Sequence, residues 1–221
     1  MPGPQPEPPQ PEPWPLRHLV LRTPRLTLRP DDDEGLYELA ALALRGVHPP
    51  EQMPFRQAWT EQPPDDLVRG ALQYHWASRS QLTPTNWKLN FLVRHDGRVI
   101  GEQTMRAEDF AITREVWTGS WLGIKQQRRG FGTEMRAAVL MLAYDHLGAT
   151  AARSGAYFDN PASLRLSEKL GYRADGTATF ARRGAAATEI RLLLPAAHFI
   201  RPQWTLKVEG LEGCRQLLGA D

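Results

Sequence analysis

The feature that most constrains the fold of this chain is a glycine-rich junction between a strand pattern and a helix pattern. Residues 115–124 alternate apolar and polar side chains, whereas residues 133–147 are rich in helix formers and present an apolar face at helical spacing. Two arginines and two glycines lie between them. Because the first N–H groups of a helix lack intrahelical partners, such a junction binds phosphate readily. A tight turn punctuated by glycines is the alternative, and the glycines alone do not separate the two.

The remaining periodicity predicts an α/β (α+β) chain with the element order β-α-α-β-β-β-α-β-α-β-β. Asp31, Asp32 and Asp33 offer N-cap carboxylates to the first helix, and Asn160 with Pro161 starts a later one. The predicted strands are 26–29, 88–94, 98–105, 115–124, 149–158, 177–182 and 189–194, and the predicted helices end near residues 44, 80, 147 and 170. The pattern at 204–208 indicates one more strand.

Composition divides the chain into three parts. Residues 1–18 are proline-rich, with eight prolines among the first fifteen residues, and predict a disordered tail. Residues 19–197 form the folded domain, and residues 198–221 form an extension that packs on the domain or at a dimer interface. Residues 47–64 are a proline-containing loop with large apolar side chains, and such a loop is more often functional or docked than free.

Cysteine content, charge and hydropathy exclude several classes of protein. The single cysteine, Cys214, rules out an intrachain disulfide and a cysteine-based zinc site, and no histidine or carboxylate spacing suggests another metal. A formal net charge of +2 gives no reason to expect a nucleic-acid or membrane partner. No apolar stretch approaches the roughly 20 residues of a membrane span, and no signal peptide is visible. We therefore expect a cytoplasmic protein.

Two common phosphate motifs do not fit the glycine junction. A dinucleotide-binding fold would need glycine where Met135 stands, and the Gly-Lys-Ser/Thr of a P-loop is absent. The segment Gln127-Arg128-Arg129-Gly130-Phe131-Gly132 instead resembles the acetyl-CoA pyrophosphate loop of the GCN5-related N-acetyltransferase (GNAT) family. The resemblance extends to residues 159–163, to Lys-Leu-Gly-Tyr at 169–172, and to an opening strand at 23–29 like that of the RimJ/RimL-like branch.

This resemblance implies the fold, the cosubstrate and most of the binding residues. The expected GNAT fold has a central, mixed but mostly antiparallel twisted sheet of six to seven strands, with helices on both faces. Acetyl-CoA, or another short acyl-CoA such as succinyl-CoA, would lie between two splayed strands, without a metal. The residues implied to bind it are Leu122, Gly123, Ile124, Gln127, Arg128, Arg129, Gly130, Phe131, Gly132, Thr133 and Asn160.

Acyl transfer in this family benefits from an acid for the thiolate leaving group and, for some amines, needs a base. Many members place a tyrosine seven residues after the asparagine, where this chain has Ser167, whereas Ser163 matches the acid proposed for the RimL-like branch. Both serines stay open. Glu102 and Asp109 are candidate bases, and a solvated or ion-paired carboxylate is the alternative for each. The weaker candidates are Glu115, His48 and His75.

The acceptor-binding surface is expected on the first two helices and the loop between them. Met53, Phe55, Trp59 and Trp76 are its expected lining, and simple core filling is the alternative. The expected acceptor is a primary amine of a protein N-terminus, a lysine or a small molecule. The competing function is a non-catalytic CoA-binding regulatory module on the same fold. The sequence also leaves a homodimer open.

Overall fold

A single sheet of nine strands organises the molecule in the computed structural model, which describes residues 12–30 and 32–221. Asp31 and residues 1–11, most of the predicted tail, lie outside the described residues. The strands are β1 (Val20–Arg22), β2 (Thr27–Arg29), β3 (Asn86–His95), β4 (Arg98–Glu108), β5 (Glu115–Leu122), β6 (Ala151–Tyr157), β7 (Arg173–Arg182), β8 (Ala185–Pro195) and β9 (Lys207–Glu209). The helices are α1 (Asp33–Leu44), α2 (Pro64–Ser80), α3 (Phe110–Thr113), α4 (Phe131–Met141) and α5 (Pro161–Lys169).

The sheet order is β7-β8-β6-β5-β4-β3-β2-β1-β9. The β5–β6 pair is parallel, and the other neighbouring pairs in the described chain are antiparallel. A parallel pair needs a long crossover connection, and here α4 supplies it. The mixed, mostly antiparallel sheet of the prediction is therefore confirmed.

Helices cover both faces of the sheet, as alternate residues of β3 show. Phe91 and Val93 pack in the large core cluster that contains Phe131 of α4, whereas Leu92 between them packs with Leu36 of α1. Because neighbouring side chains of a strand point to opposite faces, α1 and α2 lie on one face and α4 on the other. We call these the α1/α2 face and the α4 face.

The predicted sheet had six to seven strands, and the two extra strands lie at one edge. β1 pairs with β2 and with β9, and both β1 and β9 are three residues long. A strand this short shows almost no alternation in sequence, and its partner here lies near the other end of the chain. The prediction missed β1 and placed β9 only roughly, at 204–208.

The segments at both ends of the predicted domain are packed against it. A 3₁₀ turn at Pro15–His18 buries Leu16 to 2% exposure, so the folded part begins before the predicted residue 19. At the other end, Cys214 and Leu218 are fully buried, and the Trp87 indole donates to the Leu218 carbonyl over 3.0 Å. The C-terminal extension thus packs on its own domain.

Candidate functional site

The predicted phosphate loop is a turn that ends in the N-terminus of α4. A 3₁₀ turn at Ile124–Gln126 leads into Arg128 and Gly130, which have φ angles of +60° and +83°. α4 begins at Phe131, two residues earlier than predicted, and its first helical hydrogen bond runs from Glu134 N–H to the Gly130 carbonyl over 3.1 Å. The preceding N–H groups of the helix therefore point toward the turn, where they can meet an anion.

Arginine side chains surround this helix end. Arg25 donates to the buried Glu134 carboxylate over 2.6 Å and to the Arg129 carbonyl over 3.1 Å, and both arginines stack on the Phe131 ring. Glu134 thus balances the charge of Arg25. In the described part of the chain, neither Arg128 nor Arg129 pairs with a carboxylate. The helix end therefore presents two uncompensated cations, which suits a pyrophosphate.

The side chain of Gln127 is hydrogen-bonded within the protein. Its amide donates to the Val47 carbonyl over 2.7 Å and to the Leu122 carbonyl over 3.0 Å. These bonds fasten the turn to the end of β5 and to the start of the loop between α1 and α2. The side chain of Gln127 thus holds the turn, and the role of Gln127 in binding CoA stays a prediction.

β5 and β6 separate along their length. They pair at Glu115, Val116 and Trp117, with Trp117 opposite Arg153, although both strands continue beyond these residues. One step further, the Ser154 hydroxyl reaches the Thr118 carbonyl over 2.9 Å in place of a backbone bond. We call the opening beyond this point the β5–β6 wedge. It opens toward the end of β5 that leads to the α4 turn.

The backbone groups that face the wedge differ from those expected. Gly123 N–H donates to the Ile100 carbonyl and Ile124 N–H to the Gly46 carbonyl, each over 3.0 Å, so both groups are already used. Successive peptide groups of a strand point to opposite sides, and the Thr118 carbonyl points toward β6. The peptide groups of Ser120 and Leu122 therefore lie on the wedge side, although the Leu122 carbonyl already accepts from Gln127. Ser120 was not among the predicted residues.

The two candidate serines on α5 have different surroundings. Asn160 caps the helix by accepting from Ser163 N–H over 3.2 Å, as the sequence predicted for a cap. Ser163 is half-buried. Ser167 is fully buried, and its hydroxyl accepts from Arg136 of α4 over 3.1 Å. Ser163 is the more accessible hydroxyl of the two.

Glu102 lies at the centre of β4 on the α1/α2 face and is 5% exposed. Its carboxylate accepts from the Thr104 hydroxyl over 2.9 Å and from the Trp121 indole over 3.1 Å, and lies 3.4 Å from His75. Burial alone would raise the pKa of Glu102, but the hydrogen bonds from His75, Thr104 and Trp121 outweigh burial and lower it. Glu102 is thus held ionised, and its proton affinity is weak.

Asp109, the other candidate base, lies apart from the wedge. It follows the end of β4 that pairs with the closed half of β5, and its N–H donates to the Thr85 carbonyl. The expected loop there contains α3, and Asp109 has a φ of +47° at its start. The structure therefore does not bring Asp109 together with the other candidates. Glu115 is also engaged, because it pairs with Arg153 over 2.6 Å.

The loop between α1 and α2 forms an aromatic wall. The rings of Phe55 and Trp59 have centroids 5.1 Å apart, and Trp59 lies 5.5 Å from Trp121 of β5. Met53, two residues before Phe55, is buried, and its carbonyl accepts from Arg182 of β7 over 2.8 Å. Trp76 is different: it is 46% exposed on α2, and no described ring contact joins it to this wall.

The β7–β8 hairpin holds this loop over the sheet. Arg183 donates to the Pro50 carbonyl over 3.0 Å and pairs with Glu61, while Arg182 pairs with Asp159. Arg56 stacks on the Phe180 ring at 4.0 Å and has no carboxylate partner among the described residues. The α1/α2 face of the wedge is therefore roofed by a loop that carries aromatic and basic groups.

Two titratable groups on this face were missed by the sequence analysis. Glu189 of β8 lies over Gly155 of β6, where a Cβ on the glycine would stand 2.6 Å from the Glu189 carboxyl carbon. Burial raises the pKa of Glu189, with Arg56 acting in the opposite direction, and no described residue donates to its carboxylate. Tyr157 opposite it has a buried hydroxyl without a described partner, and burial raises its pKa as well.

A parallel strand pair that opens beside a cationic helix N-terminus suits an extended ligand that ends in phosphates, such as an acyl-CoA. The chain belongs to the GNAT family, because the family model described as an acetyltransferase (GNAT) domain matches residues 25–173. The resemblance drawn from the sequence is thereby confirmed, and the chain is a GNAT-type acetyltransferase. None of the helices described is both long and apolar enough to cross a bilayer.

Solved structures share the fold at low sequence identity. A Mycobacterium smegmatis RimJ in complex with CoA-disulfide is 17% identical, with a TM-score of 0.70 over 90% of this chain and 94% of that one. A Brucella melitensis GCN5-related N-acetyltransferase is 19% identical, with a TM-score of 0.64 over 81% of this chain and 79% of that one. A Vibrio cholerae spermidine N-acetyltransferase in complex with CoA and spermine is 17% identical, with a TM-score of 0.61 over 81% of this chain and 100% of that one.

Proposed function

We propose that this protein transfers an acetyl or other short acyl group from CoA to a primary amine by direct attack on the thioester. The observation that carries the proposal is the β5–β6 wedge, which opens beside the N-terminus of α4. In this proposal the N–H groups of Phe131, Gly132 and Thr133, with Arg128 and Arg129, hold the pyrophosphate. The wedge-facing peptide groups of β5 hold the pantetheine arm and the acyl carbonyl, and such N–H groups stabilise a developing oxyanion by about 3–4 kcal/mol.

We further propose that Glu189, rather than Glu102, removes the proton from the attacking amine. A general base works best when its pKa lies near the operating pH. The three donors on Glu102 lower its pKa, whereas burial raises that of Glu189, whose carboxylate has no described hydrogen bond. Glu189 also lies on the α1/α2 face beside Gly155, two residues beyond the last β5–β6 pair.

The acceptor favoured by this surface is a monoamine, such as the α-amine of a peptide. Arg56, with no described carboxylate partner, would repel a polycation near Glu189. The aromatic wall of Phe55, Trp59 and Trp121 offers apolar contact to a neighbouring side chain. An α-amine has a pKa of about 8, so it loses its proton to a carboxylate more readily than a lysine with a pKa of about 10.4.

Release of free thiol from acetyl-, propionyl- and succinyl-CoA, each with a peptide library and with polyamines, tests the proposed function. We expect turnover with acetyl-CoA and peptides, and little with spermidine. CoA binding without turnover across the whole panel would favour the competing regulatory module. Binding of neither CoA nor acyl-CoA would refute both functions.

Glu189→Gln tests the proposed base. We expect kcat to fall by about 10²–10⁴-fold, the usual contribution of a general base, while the affinity for CoA stays the same. Glu168→Gln is the matched control, because Glu168 is exposed on α5 and its carboxylate has no described contact. If Glu189→Gln retains the wild-type kcat across the pH range, Glu189 is not the base.

A further inference from the structure

Arg136 is a buried cation without an anionic partner. It lies on α4, one turn after the helix begins, and is 3% exposed. Its two terminal nitrogens donate to the Ser120 hydroxyl over 2.8 Å and to the Ser167 hydroxyl over 3.1 Å. Its Nε is buried and has no described partner. Among the described residues, no carboxylate pairs with Arg136.

Burying a cation without an anionic partner lowers the stability of the folded state. The penalty for burying an ion amounts to several kcal/mol, and neutral hydroxyls offset only part of it. The titratable neighbour is Tyr172, whose pKa is raised by burial, so this phenol stays neutral and supplies no counter-charge. Burial correspondingly lowers the pKa of Arg136. An anion placed close to the guanidinium would therefore be bound strongly.

The position of Arg136 shows where such an anion would lie. The side chain of Ser120 lies on the α4 face of β5, between Thr118 and Leu122. The last side-chain hydrogen bond from β6 to β5 ends at Thr118. Ser120 is half-buried, and its peptide group faces the wedge. Arg136 thus lies behind the wall of the wedge, and the Ser120 hydroxyl connects its charge to the opening.

The charge of Arg136 can strengthen hydrogen bonds that the two serine hydroxyls donate. A hydroxyl accepts through its lone pairs and donates through one hydrogen. Both Ser120 and Ser167 accept from Arg136, and neither hydroxyl donates to any described residue. Each therefore keeps a hydrogen for an anion, and a donor polarised by a cation is stronger than an isolated one.

We propose that Arg136, whose other terminal nitrogen is held by Ser167, stabilises the thiolate of CoA as it leaves by polarising the hydroxyl of Ser120. This inference rests on the proposed acyl transfer. In that step the amine nitrogen forms a bond to the acyl carbon, the carbon–sulfur bond breaks, and the sulfur leaves with the electron pair. The amine proton goes to Glu189, and Arg136 keeps its own proton throughout. Arg136 is a positioning residue, and the Ser120 hydroxyl is the group that meets the sulfur.

The pKa of the thiol of bound CoA tests this role without turnover. The ultraviolet absorbance of the thiolate is titrated on wild-type protein saturated with CoA, with desulfo-CoA as the blank. We expect the bound thiol to titrate at least about one unit below the thiol of free CoA titrated in the same way, which is about a tenfold shift in its ionisation. Arg136→Met should restore the free value, and Arg136→Lys should keep part of the shift.

Stability and kinetics separate this role from a structural one. Because replacing a buried ion by an apolar side chain is often neutral or stabilising, Arg136→Met should melt no lower than wild type. Its kcat should fall at least tenfold with an unchanged KM for acyl-CoA. If Arg136→Met does not fold, Ser120→Ala tests the same idea. It removes the half-buried hydroxyl, so the pKa of the bound thiol should again rise toward that of free CoA.

Failure of the inference differs from failure of the proposed function. Equal thiol pKa values in bound wild type and Arg136→Met, or in Ser120→Ala where that variant replaces it, would overturn the role of Arg136 while CoA binding and turnover stand. A preference for succinyl-CoA that disappears in Arg136→Met, with no change in thiol pKa, would place an acyl carboxylate there and also overturn it. Absence of CoA binding by the wild-type protein would instead refute the proposed function itself.

Discussion

Gly130→Ala separates the backbone strain at the phosphate turn from its binding role. Gly130 has a φ of +83°, a conformation that costs a residue with a side chain about 1–2 kcal/mol. An added Cβ would also stand 3.3 Å from a terminal nitrogen of Arg25. For a chain of this size the strain alone should lower the melting temperature by roughly 2–8 °C. A peptide that relaxes from this conformation no longer aims the first N–H groups of α4.

The expected loss of CoA affinity follows from those N–H groups. Losing one hydrogen bond to a charged phosphate costs about 1.5–3 kcal/mol, which weakens the Kd for CoA by roughly tenfold to 150-fold. Isothermal titration calorimetry with CoA measures this directly. Gly148→Ala is the matched control, because Gly148 has a φ of +75° in open surroundings beyond the far end of the same helical segment.

The control fixes what the result means. Gly148→Ala should lose similar stability but keep the wild-type affinity for CoA, because nothing described lies within 4 Å of its added Cβ. If Gly130→Ala melts lower and still binds CoA as wild type does, the turn does not hold the phosphates. The assignment of residues 127–133 to the pyrophosphate would then be wrong.

Two further predictions concern stability. Glu102→Gln should lose about 1.5–3 kcal/mol at pH 7, the usual value of hydrogen bonds to a charged group. Because the folded-state pKa of Glu102 lies below its unfolded value of about 4.3, this stability is present above that pH and disappears as the pH falls through the folded pKa. Urea unfolding of both proteins across this range should converge in acid, and a constant difference would contradict the assignment. Leu16→Ala should lower the free energy of unfolding, measured with urea, by about 2–5 kcal/mol, because Leu16 is buried. Leu44→Ala is the control and should lower it little, because Leu44 is exposed. Equal losses would show that Leu16 does not pack on the domain.

The parts of the fold that the sequence predicted are those governed by local periodicity. The alternation of β3, β4 and β5 and the caps at Asp32 and Asn160 each depend on neighbouring residues, and the structure contains all of them. β1 and β9 depend on pairing between residues at opposite ends of the chain, and three residues carry too little pattern to reveal it.

The site was predictable where a motif fixes the backbone and not where tertiary packing fixes a side chain. Arg136 lies outside the apolar face that the sequence of α4 shows, so the pattern predicts that its side chain is exposed to solvent. In the fold, α5 covers that side, and residues 134–141 are all buried. Glu189 shows the same limit, because its surroundings include Gly155 on another strand and the charge of Arg56 in a distant loop.

In the proposed reaction, the two faces of the sheet divide the chemistry of the wedge by charge. The α4 face would offer a helix N-terminus, Arg136 and Ser120 to the phosphates and the departing sulfur. The α1/α2 face would offer Glu189 and an aromatic wall to the amine. Burial destabilises the charged form of both Glu189 and Arg136, so each gains from a partner of opposite charge. Acyl transfer supplies both partners at once, since the amine becomes cationic as it attacks while the sulfur becomes anionic as it leaves. Because the wedge lies between the two faces, one reaction can use both groups, and we expect the losses in kcat from Glu189→Gln and Arg136→Met to fall on the same step.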